Sequence, residues 1–206
     1  MQKMQNDIEV FDNILSEQEA LGVYAEFISP HFPWYMSSVA KLVNNEFKIS
    51  TTSENYNIDE NTFEAFQINH MLYKDKIASF KLNVADFIHK KLSEKVDLSE
   101  YNFVHRIKAN LLPRVLSGPD HHNTPHYDNK NEHIVVIYYV NNSDGDTFIF
   151  ESDKYPLKVK KRITPKMGRF VIFNGNQLHA GVHPKTNEYR IVVNFNLTKV
   201  DSNLIN

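Results

Sequence analysis

Two short segments of the 206-residue chain carry side chains suited to chemistry. Pro125-His126-Tyr127-Asp128 precedes an apolar run, and Phe173-Asn174-Gly175-Asn176-Gln177-Leu178-His179 ends another run in a turn and a histidine. On an extended chain residues i and i+2 point the same way, so His126 and Asp128 can converge on one ion. His179 would join them from a different strand. Two imidazoles and one carboxylate can hold one face of an octahedral divalent metal and leave the other face open. An isolated His-x-Asp is a weak signal, because a lone histidine is more often hydrogen-bonded or solvated than a ligand. Its context adds weight. Eleven residues after His179, Arg190 opens the apolar strand Ile191-Val192-Val193-Asn194-Phe195. A guanidinium entering an interior is costly unless it meets an anion, and it can grip a carboxylate with two parallel hydrogen bonds. The plainer alternative is a surface arginine at a strand start.

Composition narrows the metal chemistry. The chain has no cysteine and ten histidines. Disulfides, thiolate zinc sites, iron–sulfur clusters and a cysteine nucleophile are excluded, and a metal here must take nitrogen and oxygen ligands. A formal net charge of −2 gives no global attraction to nucleic acid or to an anionic membrane, so neither is expected as a partner. The N-terminal MQKMQNDIEV has no apolar h-region, and no apolar run approaches the ~20 residues that span a bilayer. A cytoplasmic protein is the expectation. No Ser-His-Asp order or phosphate-binding glycine loop is present, and the six glycines are scattered.

The elements that must position these residues fall into two halves of a single domain spanning 1–206. Ile8–Phe11 reads as a short strand. Ser16 with Glu19 forms a capping box that opens a helix, whose apolar face is Ala20, Val23, Tyr24, Phe27 and Ile28. Pro30 and Pro33 end it. From Phe63 to Leu92 the apolar spacing again reads as helical, so residues 1–100 are expected to be helical support. From Tyr101 the pattern changes to strands: Phe103–Leu112, His133–Val140, Thr147–Glu151, Leu157–Lys161, Arg169–Phe173 and Arg190–Leu197. Turn signals separate them, among them Ser117-Gly118-Pro119, Asn141 to Gly145 and Asn174-Gly175-Asn176. No βα alternation appears. The expectation is an α+β fold, in which residues 101–198 form a double-stranded β-helix (jelly roll) with the N-terminal helices packed on one face.

With these residues in place, the second half resembles the Fe(II)- and 2-oxoglutarate-dependent dioxygenases, on the prolyl-4-hydroxylase-like branch. The signature of that family is His-x-Asp, then about 50 residues, then His, then a basic residue some ten further on. Here it reads His126-Tyr127-Asp128, His179 and Arg190. Ile137-Tyr138-Tyr139-Val140-Asn141, Asp144 to Phe148 and Gly168 to Phe173 also resemble family strands. Asp144-Gly145-Asp146 stands where the family usually has a glycine pair. The whole-chain layout is similar to small oxygenases of marine bacteriophage genomes. The resemblance implies that His126, Asp128 and His179 ligate Fe(2+) and that Arg190 binds the distal carboxylate of 2-oxoglutarate. Tyr139 would donate a hydrogen bond to the same carboxylate, and Asn110 would also contact the co-substrate. With O2 the enzyme would hydroxylate a prolyl or other amino-acid side chain of a peptide or protein, or a small molecule, and release succinate and CO2. Family members that halogenate lack the carboxylate, so Asp128 favours hydroxylation.

Several residues have rival readings. His183 is an alternative third ligand, but His179 follows the strand and turn directly and leaves the better interval to Arg190. His121 and His122 are candidates for the substrate entrance, with solvated loop histidines as the alternative. His133 reads as structural. Asp144 and Asp146 lack the twelve-residue pattern of a calcium loop and read as a hairpin turn. Trp34 with Phe32 and Tyr35 reads as core. Two functional alternatives are a non-catalytic jelly-roll binding or phage structural module, and a cupin-like metalloprotein without 2-oxoglutarate.

Overall fold

The capping box at the start of the chain forms as its residues dictate. Ser16 Oγ accepts the backbone N–H of Glu19, and Glu19 accepts the N–H of Ser16 in return. In this computed structural model, residues 7–37, 40–43, 46–49, 61–62, 66–101, 103–116, 121–129 and 131–199 are described. The elements in chain order are β1 (Ile8–Phe11), α1 (Glu17–Ile28), β2 (Tyr35–Ser37), β3 (Ala40–Val43), β4 (Glu46–Ile49), β5 (Gln67–Lys74) and β6 (Ile77–Ala78). Then follow α2 (Leu82–Ser93), β7 (Phe103–Pro113), β8 (Ile134–Tyr139), β9 (Thr147–Phe150) and β10 (Val159–Ile163). The last are β11 (Phe170–Asn174), β12 (His179–Gly181) and β13 (Tyr189–Thr198). The expected Ser117-Gly118-Pro119 turn lies outside the described residues.

A large antiparallel sheet runs β1-β11-β8-β13-β7-β5-β2, with β6 on β5, and a small sheet runs β10-β9-β12. Facing sheets of this kind make the expected jelly roll. The central strand β8, IVVIYY, is buried at every position. Period-2 geometry divides it between two cores. Val136 and Tyr138 face the helices, together with Phe27, Ile88, Leu92 and Phe195. Val135, Ile137 and Tyr139 face the barrel interior, together with Ile149, Phe173 and Val192. Both helices therefore lie on one face of the large sheet. Lys91 on α2 pairs with Glu19 on α1 at 2.6 Å and ties them together.

The helix expected across Phe63–Leu92 is not what forms. Phe63 is outside the described residues, and Gln67 to Ala78 is a β-hairpin that extends the large sheet; only Leu82–Ser93 is helical. The turn is Asp75-Lys76, both with positive φ (51° and 65°), the twist a two-residue hairpin requires. No glycine or asparagine announces it. The buried face of β5 also carries a polar residue, His70, which hides the alternation. Its two ring nitrogens contact Pro33 O and Ser79 Oγ, each at 2.6 Å. The first hundred residues thus contribute strands as well as helices.

Candidate metal centre

His126 and His179 meet across an isolated antiparallel bridge. The His126 N–H donates to His179 O at 2.9 Å, and the His179 N–H donates to His126 O at 3.2 Å. This pairing sets the imidazoles side by side, with ring centroids 4.7 Å apart. Asp128 follows two residues later on the same side. One ligand atom each from His126, Asp128 and His179 lies within 4.8 Å of the others. His126 Nε2 is 3.8 Å from Asp128 Oδ1, and His179 Nε2 is 3.7 Å from Asp128 Oδ2.

The hydrogen bonds fix which ring nitrogen faces the cluster. His126 Nδ1 contacts Thr124 O at 3.0 Å, and His179 Nδ1 contacts Gln177 O at 3.1 Å. A carbonyl only accepts, so each Nδ1 carries the proton and each Nε2 keeps a lone pair toward Asp128. Metal-binding histidines are oriented by this kind of outer bond. Burial, with His126 beside it, lowers the His179 pKa to about 4, so the ring is neutral near pH 7.

Asp128 is held from three sides. Its side chain is only 4% exposed, and Arg106 Nη2 donates to Oδ1 at 2.6 Å. Asn194 Nδ2 and Asn196 Nδ2 donate to Oδ2 at 2.8 and 3.0 Å, and Arg106 Nε also donates to Asn196 Oδ1 at 2.8 Å. Burial alone would raise the Asp128 pKa. The Arg106 guanidinium, the two imidazoles and Asn196 outweigh it and hold the carboxyl well below its usual range.

The neighbouring end of the site is cationic. A cavity of about 500 Å³, counted to its open mouth, touches His126, His179, Asn110, Thr147, Arg190 and Asn194 among its walls. Arg190 is 3% exposed, and its Nη2 donates to Thr147 Oγ1 at 2.7 Å. Its Nε is buried without a partner. Two glycines make room for it. A Cβ on Gly181 would lie 3.3 Å from Arg190 Nη1, and one on Gly145 would lie 2.4 Å from Val182 O and 3.2 Å from Arg190 Cδ. Thr147 also accepts the Tyr139 hydroxyl proton at 2.7 Å. With both lone pairs of Thr147 Oγ1 taken, its own proton is free to point into the cavity. An anion there would find Arg190 and the Thr147 hydroxyl converging on it.

Among the residues expected from sequence, the structure brings together His126, Asp128, His179, Arg190 and Asn110. Tyr139 is placed differently from the expectation. It lies behind Thr147 and gives its proton to that hydroxyl, with Arg190 5.7 Å over its ring, so Thr147 is the group that presents a proton to the cavity. His122 is buried with its edge on Phe148 and Phe150, and neither it nor His121 lines the cavity; packing of the small sheet draws it away from an entrance. His183 contacts Pro113 O at 2.8 Å and stands outside the cluster. A Cβ on Gly175 would overlap the His133 ring, in keeping with a structural His133. Arg106, Thr147, Asn194 and Asn196 were not expected. Their signal was polar residues at alternate positions of apolar strands: Arg106, Lys108 and Asn110 on β7, Asn194 and Asn196 on β13.

Comparison with known proteins follows this geometry. Residues 112–198 match the model of the 2OG-Fe(II) oxygenase superfamily. That segment, which holds His126, Asp128, His179 and Arg190, is a 2OG-Fe(II) oxygenase domain. The family uses Fe(2+), 2-oxoglutarate and O2. Solved structures share the fold of the oxygenase domain and its N-terminal elements at low identity. An oxidoreductase of the 2OG-Fe(II) oxygenase family from Burkholderia pseudomallei is 10% identical with a TM-score of 0.61, over 93% of this chain and 85% of that one. A Trichoplax adhaerens prolyl hydroxylase, in complex with a hypoxia inducible factor peptide fragment, is 15% identical with a TM-score of 0.55 over 94% and 84%. A Pseudomonas putida prolyl-4-hydroxylase is 12% identical with a TM-score of 0.54 over 95% and 94%. No curated protein matches the sequence significantly. The oxygenase's own residues suit those groups. The donor set is N, N, O with a deprotonated carboxylate, and a buried guanidinium with an unpartnered Nε faces the cavity beside it.

Proposed function

We propose that His126 Nε2, His179 Nε2 and one oxygen of Asp128 hold Fe(II), and that Arg190 and Thr147 grip the distal carboxylate of 2-oxoglutarate in a hydroxylation reaction. One observation carries this reading: the three ligand atoms converge at one end of a cavity whose other end is a buried arginine backed by a hydroxyl. Iron and 2-oxoglutarate, when bound, supply the activation of O2, with succinate and CO2 released as one oxygen atom enters the substrate.

The chain's residues do the rest. Arg106, Asn194 and Asn196 keep Asp128 ionised and oriented. Thr124 O and Gln177 O fix the imidazole tautomers. Tyr139 turns the Thr147 proton toward the co-substrate, and Asn110, which lines the cavity from β7, contacts the co-substrate through its amide N–H. Leu112, Ile137 and Val192 line the cavity and keep water from it. The substrate is proposed to be an amino-acid side chain, prolyl or other, or a small molecule. The absence of cysteine suits a reducing cytoplasm, that of the host if the chain is phage-encoded.

Anaerobic titration with Fe(II) and then 2-oxoglutarate tests the reading. The complex should show a weak charge-transfer band near about 500 nm, the signature of an iron–keto-acid chelate. Asp128→Ala should remove it. A wild-type chain that binds Fe(II) but never develops the band would overturn the proposal.

A further inference from the structure

The inner faces of β7 and β13 form a ladder of paired residues. Arg190 stands opposite Leu112, Val192 opposite Asn110, Asn194 opposite Lys108 and Asn196 opposite Arg106. Directly opposed side chains on one face stand within reach of each other. Read along the ladder, Arg190 marks the co-substrate end and Arg106 marks the Asp128 end. Lys108 stands between them. Its neighbours two residues away on each side, Arg106 and Asn110, both point to the site, so alternation puts Lys108 on the same face.

Each of the other charges there has a partner. Arg106 is bonded to Asp128, and Arg190 has Thr147 with the co-substrate cavity before it. Lys108 is half-buried, and its ammonium has no ion pair or hydrogen bond among the described residues. Burial, followed by Arg106, lowers its pKa to about 8 against the upward pull of the Asp128 carboxylate, which is already bonded to Arg106. Opposite it, Asn194 has the complementary need. Its amide nitrogen is committed to Asp128 Oδ2, which fixes the orientation of the amide and leaves Oδ1 buried without a donor. Asn123, which lines the same cavity from the small-sheet side, also has a buried Oδ1 without a partner among the described residues. A half-buried cation with no bonded anion thus stands opposite a buried acceptor lacking a donor, next to the metal-facing carboxylate. One ligand chemistry meets both needs: a carboxylate beside an N–H group.

We propose that Lys108 and Asn194 form the substrate-anchoring subsite, and that the substrate is a small molecule with a free carboxylate next to an amine, the chemistry of a free α-amino acid. Lys108 pairs with the carboxylate, and the Asn194 and Asn123 oxygens accept from the ammonium. The inference rests on the oxygenase reading of the same site and narrows its substrate class.

The test uses the full chain loaded with Ni(II) and 2-oxoglutarate, which binds substrate without turnover. The probes are the twenty L-amino acids, their C-terminal amides and their N-acetyl derivatives, followed by isothermal titration calorimetry. At least one free amino acid should bind, and its amide and N-acetyl form should bind at least about tenfold more weakly, the loss of one charge-assisted contact. Lys108→Met should weaken the free acid to the level of its amide while binding the amide as wild type does, and Lys108→Arg should restore most of the difference. Equal binding of acid and amide, full binding by Lys108→Met, or no binding by any free amino acid would overturn the proposal. The charge-transfer band of the Fe(II) complex separates the two failures. If it is present while the amino acids do not bind, only the substrate assignment falls. If it is absent, the oxygenase reading falls first.

Discussion

Replacing Arg190 should separate co-substrate binding from metal binding. The side chain is 3% exposed, and its Nε has no partner among the described residues. Such a cation is held ready for an external anion. With 2-oxoglutarate bound, a bidentate grip supplies two charge-assisted hydrogen bonds, each of order 1.5–3 kcal/mol. Truncation also leaves a carboxylate facing a buried cavity with only Thr147 to answer it. The combined loss for Arg190→Ala is about 3–5 kcal/mol, or roughly 150- to 5000-fold in Kd for 2-oxoglutarate. Arg190→Lys keeps a point charge but loses the fork, and should recover part of that loss. Iron affinity should stay essentially unchanged, because Arg190 bonds none of the three ligand side chains. The assay is anaerobic: Fe(II) is titrated first, followed by 2-oxoglutarate with the charge-transfer band as readout, and thermal melts of each variant verify folding. If Arg190→Ala bound 2-oxoglutarate as wild type does, the orphaned guanidinium would have another purpose and the orientation of the whole cavity would be wrong. Equal losses of iron and 2-oxoglutarate would point to a collapsed site.

Three other outcomes follow from the same geometry. Thr147→Val removes the hydroxyl that Arg190 and Tyr139 both address and should weaken 2-oxoglutarate by roughly tenfold, with Thr147→Ser largely restoring it; unchanged titration curves would reassign the proton to Tyr139. The metal-free chain should lose stability on acidification. The His179 pKa falls from 6.5 unfolded to about 4 folded, so below 6.5 the unfolded chain binds the extra proton, and the loss grows from pH 6.5 down to about pH 4. It reaches about 3 kcal/mol at most, and His179→Gln should flatten that limb of a melting-temperature profile. Asp128, held low, adds a further loss only at more acid pH, as its carboxylate finally protonates. Gly145→Ala places a Cβ 2.4 Å from the Val182 carbonyl oxygen and 3.2 Å from Arg190 Cδ. It should cost about 1–3 kcal/mol in chemical denaturation, and a variant as stable as wild type would show that the turn can shift freely.

The parts of this fold that announced themselves were local. The Ser16–Glu19 box, the apolar run of β8 and the Arg190 strand each state their structure within a few residues, because capping and period-2 burial are short-range effects. His126, Asp128 and His179 were legible because their types are rare together and their spacing follows strand geometry. What stayed hidden was set by pairing across the chain. β5 looked helical because His70 occupies a core-facing position, tolerable only through bonds to Pro33 and Ser79 that no local pattern shows. Thr147 gained its role from Tyr139 and Arg190, eight and forty-three residues away. Arg106 reaches Asp128 from a strand twenty-two residues earlier. His122 was read from its place just before His126, but the chain there turns its ring onto Phe148 and Phe150.

The contrast between Asp128 and Arg190 explains how one cavity can receive two different charges. A carboxylate that is to ligate a metal must be ionised in a buried place, yet must keep a lone pair unclaimed. Its two oxygens offer about four acceptor sites. Asn194 and Asn196 fill both on Oδ2, whereas Arg106 takes only one on Oδ1. Oδ1 is therefore the oxygen that would keep a lone pair for a cation. Arg106 also offsets the burial that would otherwise protonate the group. Arg190 is arranged the other way: the neutral hydroxyls of Thr147 and Tyr139 steady it, and among the described residues no carboxylate bonds it. An internal salt bridge there would compete with an incoming dianion, just as a bare Asp128 would be neutral when the metal arrived. The protein pairs the charge it must keep ionised and leaves unpaired the charge that must meet a ligand.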